Sequence, residues 1–161
     1  MASDLTHLDT EGNARMVDVS SKAATVRTAV ARARVEFPGD ALERLLEQGA
    51  PKGSVVGVAR VAGIAAAKRT AELIPLAHAV PITSVTVDFR VCPPRTLEVT
   101  CAARAEAKTG VEMEALVGAS IAALTVYDMC KALTRGIRVT DVALLEKSGG
   151  RSGPWKATDA V

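Results

Sequence analysis

The sequence predicts an α+β fold in which a four-stranded antiparallel sheet carries its helices packed on one face. Three segments alternate apolar and polar residues with period two, and two long segments are apolar over the length of a helix. The elements follow the order strand, helices, strand, strand, helix, strand. This is the ferredoxin-like pattern, and residues 1–161 fit it as a single domain. The open face of such a sheet needs a cover, which favours an oligomer.

The first predicted strand, Ala29–Phe37, follows an irregular N-terminal segment over residues 1–24. Apolar and charged residues alternate along the strand, so we expect one buried face and one charged face. Pro38-Gly39 ends the strand. Asp40 and Glu43 then have the spacing of a capping box, which predicts a short helix with a stripe of leucines.

A second helix is predicted from Val55 to about Ile74, with Ser54 as its cap. Its sequence is apolar on every side until Arg60 and Lys68 interrupt it, and a helix that is apolar all round is expected to be buried all round. A domain of this size rarely covers a helix completely. The pattern therefore predicts a subunit interface, in which small residues such as Gly63 let another backbone approach.

The remaining elements are a hairpin, a long helix and a last strand. The alternating runs Val85–Val91 and Leu97–Ala105 flank a turn that contains two prolines, and they predict a β-hairpin. The longest helix is predicted from Val111 to Leu133. Gly136 ends that helix, and Ile137–Leu145 is the last predicted strand.

Composition excludes several classes of function. Twenty basic and 18 acidic residues give a formal charge of +2, which is too small to predict binding to nucleic acid or to a membrane surface. Aromatic residues are 2% of the chain, so few are present to stack bases. Three observations favour a cytoplasmic protein. The three cysteines lack C-x-x-C spacing, the N-terminus is polar, and no uninterrupted apolar run reaches about 18 residues.

Charged residues at the end of the long apolar helix are the first candidates for chemistry. Ala115–Tyr127 contains no charged residue, and Asp128 and Lys131 then follow on one helix face. At about 100° per residue, Glu114 projects within about 40° of Asp128. Either the pair is an exposed ion pair worth well under about 1 kcal/mol, or the carboxylate tunes a partly buried lysine as a general acid or base.

Three other residues each have a structural and a functional interpretation. Glu112 has capping-box spacing after Thr109, which is sufficient to explain it without catalysis. His78 lies in an apolar loop, where a histidine is either hydrogen-bonded for structure or catalytic. Lys52 precedes the second helix, and it is either a solvated loop lysine or part of an anion site at the helix N-terminus.

A glycine-rich loop and tail are predicted over residues 148–161. Lys147–Gly153 combines glycines, hydroxyls and two cations, so it is either a phosphate-binding nest or the start of a flexible terminus. It lacks the residue order of a P-loop. The two histidines are distant in sequence and the cysteines are unpaired, so we predict no metal site.

Seven motifs together carry a resemblance to a known family. They are MVDVS (Met16–Ser20), Lys52-Gly53, ARVAGIAAAKRT (Ala59–Thr70), LIPLAH (Leu73–His78), KTGVEMEAL (Lys108–Leu116), AALTVYDMCKA (Ala122–Ala132) and LLEKSGGRSG (Leu144–Gly153). Over about Leu5–Trp155 the chain resembles the MoaC family, the cyclic pyranopterin monophosphate synthases of molybdenum cofactor biosynthesis. The resemblance implies a ferredoxin-like fold and a hexamer, a trimer of dimers with active sites at the dimer interface.

The resemblance also implies a reaction. A guanosine triphosphate derivative, cyclised between ribose C3′ and purine C8, becomes cyclic pyranopterin monophosphate, and pyrophosphate leaves as the cyclic phosphate closes. Because a ribose hydroxyl attacks the α-phosphate, no enzyme nucleophile is needed. No cofactor is required by the sequence, and magnesium is expected only as a companion of the triphosphate.

The same resemblance implies roles for individual residues. The implied catalytic residues are Lys131 as general acid and base, Asp128 to orient it, Lys52 as a second proton donor, and His78. The implied substrate-binding residues are Glu112, Met113, Glu114, Arg27, Lys68 and Lys147, some of them from the neighbouring subunit.

One departure from the family pattern concerns His78. The family usually has cysteine and proline beside this histidine, and here the flanking residues are Ala77 and Ala79. Losing the proline is expected to loosen the loop.

An alternative function is a non-catalytic oligomeric nucleotide-binding protein, which the fold alone does not reject. A desolvated carboxylate–lysine pair at Asp128 and Lys131 would favour the enzyme.

Overall fold

The fold was analysed in a computed structural model that describes residues 8–9, 11–48 and 54–158. The elements are β1 (Thr25–Glu36), α1 (Ala41–Gln48), α2 (Val55–Lys68), α3 (Thr70–Leu73), β2 (Ile82–Cys92), β3 (Thr96–Ala107), α4 (Glu112–Cys130), β4 (Arg138–Ser148) and β5 (Trp155–Lys156). The strands form one antiparallel sheet in the order β2-β3-β1-β4-β5. The first four have the ferredoxin-like arrangement, which confirms the predicted fold class, and β5 adds a short edge.

The apolar rows of β1 and β3 form the base of the core. Ala31, Ala33 and Val35 are fully buried, as are Val99 and Cys101 on the neighbouring strand. They belong to one hydrophobic cluster with the alanines of α4. Small side chains on the sheet and on the helix let the two layers pack closely, which explains a core with very few aromatic residues.

The strand β1 is longer than its alternating pattern predicts. It begins at Thr25, because its ladder with β3 continues to the pair Thr25 and Ala107. Arg32, predicted on the charged face, is only 6% exposed. Its guanidinium lies 2.7 Å from the carboxylate of Asp141 on β4, and this partner compensates for much of the cost of burying the charge.

The second helix is shorter than predicted. It ends at Lys68, and α3 follows as a separate turn. The predicted cap is confirmed, since the Gly57 N–H donates to Ser54 Oγ at 3.1 Å. A Cβ on Gly63 would lie 2.8 Å from the Gly118 carbonyl oxygen. Gly63 therefore permits close packing on α4 of the same chain, and its predicted place in a subunit interface is wrong.

Burial of α2 on all sides is not achieved within one chain. Val58 is 49% exposed and Val61 is 68% exposed. On α4, Leu124 and Tyr127 are 51% and 38% exposed. Both helices thus expose apolar side chains, and these four residues are here called the exposed apolar patch. They are the part of the interface prediction that a single chain leaves open.

The helix α4 crosses the centre of the fold. By length and composition it could span a membrane, but 56% of its most apolar window is buried inside the protein, as expected for a core helix. It starts after Val111, which makes no side-chain capping bond in the described part of the chain. The predicted capping box of Thr109 and Glu112 is therefore wrong, because Glu112 is the first helical residue and its carboxylate contacts Lys147 instead.

The last strand extends into the glycine-rich motif. Because β4 reaches Ser148, Lys147 lies in the sheet rather than in a tail. The chain then turns through Gly149 and Gly150, both at positive φ, where glycine avoids the steric cost of a side chain. It returns as β5, which pairs with Glu146 and Lys147.

Candidate active site

The predicted site residues fall at the two ends of α4. Glu112, Met113 and Glu114 occupy its first turn. Asp128 lies in its last turn, and Lys131 is the C-cap residue that follows. At about 1.5 Å of rise per residue, Glu112 and Lys131 are about 28 Å apart along the helix. One chain therefore brings together the residues of the first turn with others around them, and it does not bring the two ends together.

A cleft of about 690 Å³ opens at the N-terminal end of α4. Four cationic side chains line it: Lys22, Arg27, Lys108 and Arg151. They come from the N-terminal segment, β1, the turn before α4 and the glycine loop after β4. Glu112 is the carboxylate in the lining. Converging cations from four separate parts of the chain give this cleft the charge that a polyphosphate requires.

Arg27 is fixed at the base of this cleft. Its Nε donates to the Ala107 carbonyl at 3.3 Å, and a terminal nitrogen donates to the Lys108 carbonyl at 3.5 Å. The guanidinium packs against the glycine turn so closely that a side chain on Gly150 would collide with it. The glycine loop thus has a specific role, since it lets backbone and guanidinium share one wall of the cleft.

Glu112 and Lys147 form a half-buried ion pair beside the cleft. The distance from Lys147 Nζ to Glu112 Oε1 is 2.8 Å, and the side chains are 31% and 29% exposed. The pair joins β4 to the first turn of α4 and holds the glutamate in place. The ammonium group of Lys147 thereby has a protein partner, which weakens its predicted role as a free anion-binding residue.

A smaller cleft of about 170 Å³ continues from the first. The two share Thr109, Gly110 and Glu112, and the smaller one adds His78, Met113 and Glu114. The two clefts adjoin through these shared residues and are here called the channel, with a cationic part and a smaller part that holds the buried Glu114. A nucleotide has the same division, with a charged phosphate chain joined to a flat base.

Glu114 is the buried acid of the smaller cleft. It is 4% exposed, and burial is the main cause that raises its pKa, with a further contribution from the nearby Glu112 carboxylate. A raised pKa favours the protonated carboxyl, which can donate a hydrogen bond as well as accept one. This arrangement suits recognition of a base edge that offers both kinds of group.

His78 lines the smaller cleft and is held by backbone. Its Nε2 lies 2.7 Å from the Val17 carbonyl oxygen. A carbonyl only accepts, so Nε2 donates. This contact supports the interpretation of His78 as a hydrogen-bonded structural residue. Because His78 also lines the cleft, it is placed to contact a ligand as well.

The ion pair of Asp128 and Lys131 has close contact and high exposure. Lys131 Nζ lies 2.6 Å from Asp128 Oδ1, and the side chains are 57% and 58% exposed. The hydrogen bond to Asp128 raises the pKa of Lys131. The expected partial burial is wrong for a single chain. Glu114 does not join them, because 14 residues of helix, about 21 Å, separate Glu114 from Asp128.

The remaining predicted residues lie elsewhere. Lys68 is an exposed residue of the last turn of α2 and is absent from both cleft linings in the part of the chain that the structure describes. Lys52 lies outside the described residues. Among the residues that are described, no group of three or more His, Cys, Asp or Glu side chains is arranged to hold a metal ion.

Two cationic residues of the cleft were missed by the sequence interpretation. Lys22 lies two positions after the end of MVDVS, and Lys108 is the first residue of KTGVEMEAL. Their positions next to recognised motifs were the available signal. Nothing in the spacing shows that these segments, 86 residues apart in sequence, line one cleft.

Comparison with known proteins gives a consistent result. Residues 16–150 match the MoaC family. The chain is 51% identical over 156 residues to a cyclic pyranopterin monophosphate synthase of Desulfitobacterium hafniense, covering 97% of this chain and 96% of that protein. It is 54% identical over 157 residues to the protein of that name from Thermomicrobium roseum, covering 97% and 95%. The synthase of Novosphingobium aromaticivorans is 49% identical over 156 residues, covering 97% and 99%.

Proposed function

Because the chain belongs to the MoaC family, we propose that the cleft at the start of α4 binds the substrate of a cyclic pyranopterin monophosphate synthase. The chain is an enzyme of molybdenum cofactor biosynthesis. It converts the C3′–C8 cyclised dihydro-GTP intermediate to cyclic pyranopterin monophosphate and releases pyrophosphate. The cationic cleft that adjoins the smaller one carries this proposal, because the pair matches a triphosphate joined to a base.

The triphosphate occupies the larger cleft. Lys22, Arg27 and Arg151 face its anionic oxygens, and their combined charge offsets the charge that develops on the departing pyrophosphate. The purine-derived ring enters the smaller cleft beside Met113 and Glu114. Glu112, held by Lys147, lies where the two clefts meet, and it orients the ribose and ring between them.

Proton transfer is assigned to a second chain. Ring opening and closure need a group that both gives and takes a proton, and Lys131 oriented by Asp128 is the assigned pair. Lys52, the second assigned donor, precedes Ser54, the cap of α2. The separation of about 28 Å within one chain supports a shared site, in which one subunit supplies the cationic cleft and another the lysine–aspartate pair.

A homo-oligomer follows from the same assignment, and we propose a hexamer built as a trimer of dimers. The exposed apolar patch of Val58, Val61, Leu124 and Tyr127 supports association through the helical layer. Burial of Asp128 and Lys131 in an interface would remove them from bulk water. Desolvation would oppose the rise in the pKa of Lys131 that the hydrogen bond to Asp128 causes.

The proposal also covers the location of the protein, its macromolecular partners and magnesium. We propose a cytoplasmic location, supported by the free thiols of Cys92, Cys101 and Cys130. The proposal includes no nucleic-acid or membrane partner. Magnesium, where present, arrives with the triphosphate as part of the substrate, and no step is assigned to it.

The direct test is to incubate the purified protein with the cyclised dihydro-GTP intermediate. We expect equimolar pyrophosphate and pterin product. Binding of the intermediate with no product, by a correctly assembled protein, would instead identify the alternative, a non-catalytic oligomeric nucleotide-binding protein. The exposure of Asp128 and Lys131 in one chain makes assembly a necessary control in this assay.

A further inference from the structure

The segment Val17–Ala23, here called the N-terminal strap, has an ordered turn despite lying outside any helix or strand. The backbone N–H and the hydroxyl of Ser20 both donate to Asp18 Oδ1, at 2.8 and 2.6 Å. The Lys22 N–H donates to the Val19 carbonyl at 3.0 Å. These bonds fix the local shape of the strap, and the carbonyls of Val17 and Ser20 accept hydrogen bonds from other parts of the fold.

Two side chains attach the strap to the channel. Lys108 Nζ donates to the Ser20 carbonyl at 2.7 Å, and His78 Nε2 lies 2.7 Å from the Val17 carbonyl. Lys108 precedes Thr109 and Gly110, which line both clefts. The strap therefore spans from one cleft to the other, with one attachment in each.

The contact with Val17 determines which ring nitrogen of His78 carries the proton. A carbonyl oxygen has no hydrogen to give, so a bond of 2.7 Å requires the proton on Nε2. In the neutral ring, Nδ1 then holds the lone pair. A nitrogen that donates to backbone cannot also accept from a ligand, so any acceptor role of His78 toward substrate belongs to Nδ1.

We propose that Lys108 is a positioning residue that holds the strap so that the Val17 carbonyl fixes His78 as the Nε2–H tautomer, leaving Nδ1 to accept a hydrogen bond from substrate. This inference rests on the proposed function for its catalytic meaning, and on the two bonds to the strap for its geometry. Lys108 then has two effects. It adds a positive charge to the cleft lining, and it acts on His78 through the strap.

The test is the tautomer of His78, measured in the substrate-free protein by long-range proton–nitrogen correlation on ¹⁵N-labelled imidazole. The chain has only two histidines, so His7→Ala assigns the spectrum. In the neutral ring, we expect the Nε2–H pattern in the wild-type protein. A dominant Nδ1–H pattern would overturn the proposal, whether or not the protein is an active synthase.

The variants Lys108→Met and Lys108→Arg separate positioning from charge. Lys108→Met removes the bond to Ser20, so we expect a mixture of tautomers at His78 and a fall in kcat of about 10- to 100-fold. Lys108→Arg keeps a donor and should restore the Nε2–H pattern and most of the rate. Lys156→Met, at an exposed position on β5, is the matched control and should change neither.

Asp18→Ala provides an independent approach should Lys108→Met fail to fold. It removes the acceptor that shapes the turn, and we expect the same mixture of tautomers with every cleft cation retained. An unchanged Nε2–H pattern in folded Lys108→Met or Asp18→Ala would overturn the positioning role. A wild-type protein with the expected tautomer and no turnover would count against the proposed function alone.

Discussion

Lys147 Nζ lies 2.8 Å from Glu112 Oε1 and ties the last full strand of the sheet to the first turn of the central helix. Without this cation, the Glu112 carboxylate would lose its ion-pair partner near the buried Glu114. The ion pair therefore sets both the position of Glu112 and the electrostatics of the smaller cleft. Lys147 is better described as the residue that holds Glu112 than as a free ligand for phosphate.

Replacing Lys147 tests this description. We expect Lys147→Ala to raise the apparent dissociation constant for the cyclised substrate more than it lowers the single-turnover rate, because it disturbs binding groups and leaves Lys131 intact. Binding should also weaken with salt, since several cations contribute. Lys156→Ala, on the neighbouring strand, is the control. Collapse of the single-turnover rate with unchanged affinity would show that Lys147 itself acts in the chemistry.

The buried carboxyl of Glu114 should affect stability in a pH-dependent way. Its pKa is raised by burial and by Glu112, so the folded state binds this proton more tightly than the unfolded chain does. Folding stability then falls as pH rises above the ordinary glutamate pKa of about 4.3 and continues to fall until the folded-state pKa is passed.

Glu114→Gln removes that titration and keeps the size of the side chain. The free energy of unfolding of the variant should exceed that of the wild type at neutral pH, and the difference should shrink as the pH is lowered toward about 4. Denaturant titrations at several pH values measure this. A difference that is constant with pH, or that grows in acid, would mean that Glu114 is charged in the folded protein.

The close packing of Gly63 on Gly118 predicts an effect on folding rather than on assembly. Gly63→Leu forces a large side chain against the backbone of α4, and overpacking of this kind costs about 1–3 kcal/mol or more. Chemical denaturation should show the loss even in dilute protein. A variant of full stability that dissociates would return Gly63 to the subunit interface.

Assembly should depend instead on the exposed apolar patch. Val61 is 68% exposed in a single chain, so Val61→Asp should leave the fold intact and weaken the oligomer by placing a charge in an apolar contact. Light scattering over a dilution series measures the mass, with wild-type protein expected as a hexamer. Wild-type protein that is monomeric at every concentration would contradict the shared site.

The fold class was accessible from the sequence because each of the four long strands and each of the helices α1, α2 and α4 carried its own local signal. The alternation around Ala31 and Val35 identifies the buried face of β1 without knowledge of its neighbours. Pairing is not local, and the extension of β1 to Thr25 depends on β3. Gly63 shows the same limit, since periodicity reveals that a small residue is needed and does not reveal which backbone approaches it.

The site was harder to predict for a related reason. Helical projection correctly gives the angle between Glu114 and Asp128 around the helix axis. It does not give their distance along the axis, which is about 21 Å. The two residues were therefore predicted on one arc although they are far apart. Motif resemblance identified Glu112 and Lys147 separately, whereas their contact depends on how β4 lies beside α4. Lys22 and Lys108 were missed because a cleft between distant segments has no signature in either segment.

Replacing Lys131 tests the assigned acid and base. Lys131→Ala should assemble and bind substrate with a rate lowered about 10²- to 10⁴-fold, or roughly 3–5 kcal/mol of barrier. Lys131→Arg keeps the charge but hardly releases a proton, so it should bind equally well and stay inactive. Near-normal turnover by Lys131→Arg, measured in a single-turnover experiment, would make the residue an electrostatic clamp.

Mixing two inactive variants tests the shared active site most directly. Lys131→Ala damages the end of α4 that one subunit contributes, and Glu112→Ala damages the cleft that the other contributes. In a mixed dimer one of the two sites receives both intact halves, so random co-assembly should recover roughly a quarter of the wild-type single-turnover product formation. Product that stays at the sum of the two separate variants, in oligomers shown by mass to be mixed, would contradict a site built from two chains.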